Sequence, residues 1–132
     1  VDIQFTDREA DVMQVLWDRG PSLVAEVRAS LKDELAYTTV LTILRTLEAK
    51  GYVRHEEEGR GHRYFARVKQ KAAQVSALRH ITAKLFKGST ELLLTRLVSD
   101  EKLSPEALAR MRRLLDDHAG DARSDGDEGE GG

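Results

Sequence analysis

The chain has 132 residues, no cysteine, and 21 Lys/Arg against 23 Asp/Glu. That length allows one modest domain or a small head with an assembly segment, because roughly 100–200 residues make a domain, and the lack of cysteine removes disulfides, thiolate metal sites and cysteine nucleophiles. No stretch approaches the roughly 18 apolar residues of a membrane span, so a soluble, cytoplasmic protein without membrane insertion is expected.

Thr6 and Glu9 stand at capping-box spacing, and Phe5 and Ala10 at that of a hydrophobic staple, so a helix is predicted to open here with Ala10, Met13, Leu16 and Trp17 as its buried stripe. Gly20-Pro21-Ser22 ends it and caps a second helix, whose apolar positions are Val24, Val27 and Leu31. A third helix is predicted from about Tyr37 to Lys50, stopped by Gly51 in the left-handed cap position. Tyr52-Val53-Arg54-His55 and Arg63-Tyr64-Phe65-Ala66 then flank a Glu-Gly-Arg-Gly turn as a hairpin. Three helices followed by a hairpin are the order of a winged helix-turn-helix, and the fold class expected is mainly α with a small β wing.

Three more helices are expected in residues 69–118. Ala72, Val75, Leu78, Ile81 and Leu85 form the stripe of the first, which ends at Lys87-Gly88. Leu92, Leu93, Leu94, Leu97 and Val98 form the second, and Leu108, Met111, Leu114 and Leu115 the third, opened by Ser104-Pro105. So few helices cannot enclose a core alone, so a symmetric homodimer that interlocks these stripes is favoured over a monomer in which they fold back on the head. The domains expected are a winged-helix head at 1–68, a helical dimerisation domain at 69–118, and a disordered, acidic, Gly-rich tail at 119–132.

Charge is distributed unevenly. Residues 1–68 carry 10 Lys/Arg and 12 Asp/Glu (net −2), residues 69–118 carry 10 and 6 (net +4), and residues 119–132 carry 1 and 5 (net −4). A slightly acidic head counts against nucleic acid, since phosphate neutralisation leaves a basic footprint. However, Asp2, Asp7, Glu9, Asp11 and Asp18 all lie in the first-helix region, far in sequence from the third helix.

At 100° per residue Val40, Ile43, Leu44 and Leu47 share one face of the third helix, and Thr38, Leu41, Thr42 and Arg45 share the other. Hydroxyls, one apolar group and one guanidinium suit a major groove, where Thr reaches phosphates or base edges, Leu41 meets a thymine methyl and Arg45 takes guanine or phosphate. An ordinary solvated face is the competing reading of this helix alone. Thr39 at the helix start, with Arg60 and Arg63 on the wing, adds donors for phosphate, although Glu56, Glu57 and Glu58 on the same hairpin would repel it unless they point away. An enzyme or metal-site reading would draw on His55, His62, Glu56, Glu57 and Glu58, with His80 and His118 elsewhere; no HExxH, nucleophile elbow or phosphate loop is present, so no catalytic residue, metal or cofactor is expected.

The segments Thr6 to Met13 with Leu16-Trp17, Ala36-Tyr37-Thr38-Thr39-Val40-Leu41-Thr42, Leu47 to Gly51, His62-Arg63-Tyr64, Leu85-Phe86-Lys87-Gly88 and Leu103-Ser104 together resemble the BlaI/MecI family of bacterial penicillinase repressors, from Phe5 to about Asp117. The resemblance implies a homodimeric repressor on a palindromic operator in double-stranded DNA, released by a sensor-linked protease that cuts in the dimerisation domain in response to β-lactam. The positions matching that cut are Arg96-Leu97, which depart from the Asn-Phe pair of the staphylococcal members. The copper-responsive branch carries a cysteine motif that is missing here. A small-molecule-responsive winged-helix regulator and a winged helix serving only protein interaction remain as alternatives: an effector that releases intact protein marks the first, and lack of sequence-specific DNA affinity the second.

Overall fold

The computed structural model describes residues 2–130, with side chains through residue 122. The described residues divide into two compact units, the first ending at Leu85 and the second beginning at Phe86. The first holds α1 (Asp7–Arg19), β1 (Ser22–Leu23), α2 (Val24–Ser30), α3 (Tyr37–Ala49), β2 (Val53–Glu58), β3 (Gly61–Ala66) and α4 (Gln70–Leu85). The second holds α5 (Thr90–Asp100) and α6 (Pro105–Glu130).

The capping box forms as its spacing predicts: the Thr6 hydroxyl accepts from the Glu9 N–H at 3.2 Å and the Thr6 N–H donates to Glu9 Oε1 at 2.8 Å. The stripe of α1 differs from the expected one. Ala10 is exposed, while Glu9, Val12, Met13 and Leu16 are buried and Trp17 is half-buried. Phe5 packs edge-on against Trp17 and Tyr52. Glu9 stays inside because Lys50, just past the end of α3, donates to both its oxygens at 2.9 and 2.8 Å.

Ser22 does not cap α2. It lies in β1, fully buried, with its hydroxyl donating to the Gly20 carbonyl. Glu26 reaches back instead to accept from the Leu23 N–H at 2.9 Å and closes the first turn of α2. β1 pairs antiparallel with β3 (Ser22↔Tyr64, Leu23↔Arg63) and β3 with β2 (His55↔Tyr64, Glu57↔His62), giving the order β1-β3-β2. The two-residue β1 is too short to alternate and so leaves no periodic signal in the sequence.

The core of the first unit is Val12, Met13, Leu16, Val24, Val27, Val40, Leu44, Leu47, Val53 and Tyr64. Gly51 ends α3 at φ 85°, with its N–H donating to Glu48 O and that of Tyr52 to Leu47 O. Because a β-carbon there has space but strained torsions, Gly51→Ala is expected to cost about 1 kcal/mol, read as a lowered urea midpoint with unchanged slope.

The boundary expected at 68/69 falls inside the first unit. α4 belongs to it because Ser76 is buried and bonds both the N–H (2.8 Å) and the carbonyl (3.2 Å) of Ile3, while the Trp17 indole donates to Val68 O. The opposite face of α4 presents Val75, Leu78, Ile81 and Leu85, all exposed. In the second unit no residue from 86 to 122 is buried. Leu94, Leu97, Val98, Leu108, Met111, Leu114 and Leu115 are exposed, and Leu93 is half-buried. α6 continues to Glu130, through most of the segment expected to be a disordered tail. Residues 131–132 of that segment lie outside the described residues.

Candidate nucleic-acid interface

α3 carries its functional face as a by-product of its buried one. Val40, Leu44 and Leu47 are fully buried and Ile43 packs against them, which turns Thr38, Thr42 and Arg45 to solvent. Leu41 sits at the edge, half-buried against the core with the rest available. The Thr42 hydroxyl donates to Thr38 O at 2.9 Å and keeps its oxygen lone pairs as acceptors. Thr38 and Thr39 lie in the first turn, where Ala36 supplies no side-chain cap and backbone N–H groups are left to meet an anion.

The wing comes alongside this face. Leu41 and Arg45 of α3, Tyr37 at its start and Val24 of α2 line a groove of about 190 Å³ together with Arg60, Gly61 and His62 of the hairpin. Arg45 and Arg60, 15 positions apart in sequence, thus border one depression, and among the described residues neither pairs with a carboxylate. Tyr37 and Val24 were not expected in this surface. Tyr37 carried a signal, as an aromatic at the first position of a helix with a polar outer face; Val24 gave none.

Arg63 is placed differently from Arg60. Its guanidinium turns back across β1, donating to Pro21 O at 3.1 Å and lying 3.4 Å from Glu26 Oε1, while its Nε donates to Glu58. The Glu58 carboxylate beside it raises the guanidinium above its ordinary value, and Glu26 adds to this. Arg63, expected as a phosphate donor, thus also braces the wing on α2. The wing acids are partly neutralised by the same arrangement, since Glu58 is held by Arg63 and Glu56 by Arg54 at 2.9 Å. The Arg54 guanidinium also lies over the Phe65 ring, 4.1 Å from its centre.

At the other end of α3, Glu48 accepts from His55 Nδ1 at 2.6 Å. The His55 ring stacks on His62 and tilts against Tyr64. Burial first, then the Glu48 carboxylate, pushes the Tyr64 phenol above its ordinary 10.0, so Tyr64 enters this face as a neutral, core-anchored ring.

Of the assembly residues, Val75, Leu78, Ile81 and Leu85 share α4, Arg96 and Leu97 lie exposed on α5, and Leu108, Met111 and Leu115 lie on α6. Among the described residues no group of three or more His, Asp or Glu side chains could hold a metal ion, and no helix is long and apolar enough to cross a membrane.

Comparison with known proteins agrees with this geometry. The chain is 19% identical over 116 residues to the methicillin resistance regulatory protein MecI of Staphylococcus aureus, covering 85% of this chain and 93% of that one. It is 43% identical over 61 residues to the transcriptional regulator BlaI of Mycobacterium tuberculosis, 44% of each chain. Among solved structures it superposes on hsRosR-S4 with a TM-score of 0.53 at 18% identity, over 90% of this chain and 93% of that one, a likeness of fold. The family model described as penicillinase repressor matches residues 5–117. With a buried α3 stripe behind an exposed Thr/Arg face, a wing beside it and a match over that span, the chain belongs to the penicillinase repressor family, whose members are transcriptional repressors and not enzymes.

Proposed function

We propose that this DNA-binding repressor acts in the cytoplasm as a homodimer on a palindromic operator overlapping a promoter, blocking transcription by occupancy. The observation that carries the proposal is the groove shared by Leu41 and Arg45 of α3 with Arg60 of the wing. Thr38, Leu41, Thr42 and Arg45 enter the major groove, Thr39 and the first-turn N–H groups meet phosphate, and Arg60 holds the flanking backbone. Arg63 supports the wing from behind. Two protomers related by a two-fold axis would present two α3 helices about one DNA turn (roughly 34 Å) apart.

The homodimer is supported by the exposed stripe of α4 and by the second unit, in which no residue from 86 to 122 is buried. Monomers rarely leave such large apolar patches in water. Release follows cleavage at Arg96-Leu97 by a sensor-linked protease in a β-lactam or cell-envelope stress response. An α5 with no residue buried within its own chain depends on the partner for its packing, which suits a cut there as a means of weakening the dimer. A second reading, release by a small molecule, is favoured by a cavity of about 740 Å³ where Ile3 and Val75 meet Lys69, Arg79 and His80; an effector that dissociates intact protein from DNA would select it.

Fluorescence anisotropy on a duplex from its own promoter region, against a scrambled duplex across a salt series, tests the proposal. Sequence-specific binding with two protomers per site and a log–log salt slope of several units is expected; equal weak binding to all promoter DNA would reject it. Arg45→Ala is expected to lower operator affinity by about 1–3 kcal/mol, as for loss of a base-reading guanidinium. Unchanged affinity would remove Arg45 from the interface.

A further inference from the structure

The distal half of the wing has little to hold it in place. β1 pairs with β3 at Arg63 and Tyr64, so residues 56–62 form a two-stranded ribbon ending in the Gly59-Arg60 turn. Such a ribbon is marginal on its own, and its angle to the body depends on side-chain ties at its base. The structure has one tie on each side. Toward α2, Arg63 reaches Pro21 O and Glu26. Toward α3, His55 Nδ1 lies 2.6 and 2.8 Å from the two oxygens of Glu48. An ionised carboxylate only accepts, so Nδ1 carries the proton of that bond. The His55 ring lies flat on that of His62, with centres 4.4 Å apart and planes 10° apart, and the His55 ring also tilts against the buried Tyr64. His62 in turn lines the groove with Leu41, Arg45 and Arg60.

We propose that Glu48 and His55 are positioning residues that fix the wing against α3, the stack on His62 carrying this constraint to the part of the hairpin that bears Arg60. The proposal rests on the reading that α3 and the wing meet DNA together. The tie runs from the end of the reading helix to the root of the wing, and its members are about one-third exposed, 31% for each of Glu48 and His55. A polar contact at such a surface adds little net stability. What it supplies is orientation, the property that a recognition surface draws from the residues behind it.

The test measures operator affinity and its salt dependence for the full chain and the variants Arg60→Ala, His55→Phe, Glu48→Gln and the Arg60→Ala/His55→Phe pair, with urea midpoints for each. Phe retains a stacking ring and loses the bond to Glu48, whereas Gln at position 48 keeps an acceptor for it. His55→Phe is expected to lose about five- to tenfold in affinity and about one unit of salt slope, as Arg60→Ala does, with an unchanged urea midpoint. It should have no further effect in the Arg60→Ala background, and Glu48→Gln should retain most of the affinity. If His55→Phe lowers the midpoint, Glu48→Ala replaces it and must show the same coupling to Arg60. Additive losses, or full affinity in His55→Phe while Arg60→Ala binds weakly, would overturn the positioning role. So would an Arg60→Ala variant that binds like the parent, which removes the wing contact itself. Loss of sequence-specific binding by the parent chain is a separate result and rejects the repressor geometry as a whole.

Discussion

Leu78→Asp is expected to leave the protein monomeric at low micromolar concentration and to reduce operator affinity by an order of magnitude or more. Leu78 is 53% exposed on α4 in the single chain. In a two-fold assembly each substituted position occurs twice in the same interface, and burying an unpaired carboxylate costs several kcal/mol unless it becomes protonated or the interface opens. Half-site binding by a monomer then forfeits the second reading helix. Leu97→Asp on α5, where the side chain is 48% exposed, should act in the same way. Leu93 makes a poorer test because it is already half-buried within its own unit, so a charge there would disturb folding as well as assembly. Sedimentation equilibrium separates the outcomes: fully dimeric variants would show that these stripes face something other than a second copy.

The second large effect is expected from Lys50→Ala, at about 2 kcal/mol of stability. Its partner Glu9 retains only 5% of its side-chain exposure, and the ammonium touches both carboxylate oxygens. Removing one partner leaves the other charge buried, the costly half of any buried pair; the figure is set below that of a fully buried pair because Lys50 is itself 40% exposed. The same contact makes a pH prediction. Burial alone would raise the Glu9 value, but the Lys50 bond and charge and the Thr6 N–H together outweigh it and hold the carboxyl below its ordinary 4.5. With the folded-state value depressed, this stabilisation is fully present above pH 4.5 and is lost as pH falls through the folded value. Urea midpoints taken between pH 5.5 and 3 should therefore fall for the parent and fall less for Lys50→Ala. Parallel curves would show that Glu9 draws nothing specific from Lys50.

What the sequence by itself determined was whatever depends on near neighbours along the chain. Thr6 and Glu9 had to meet because a helix brings positions three apart together, and Gly51 had to end α3 because only glycine takes φ 85° without strain. The division of α3 into a buried Val40/Leu44/Leu47 stripe and an exposed Thr38/Thr42/Arg45 face follows from the same periodicity. Only the tertiary structure decided what rests on pairs distant in sequence. Glu9 is buried and Ala10 exposed because Lys50, 41 residues on, pairs with Glu9; Ser22 is a strand residue because Tyr64 pairs with it; Arg63 braces the wing because Pro21 and Glu26 are within its reach; and α4 belongs with the head because Ser76 holds Ile3. Each of these residues has two plausible environments as judged from its neighbours, and the choice between them is made by a partner whose nearness exists only once the chain has closed.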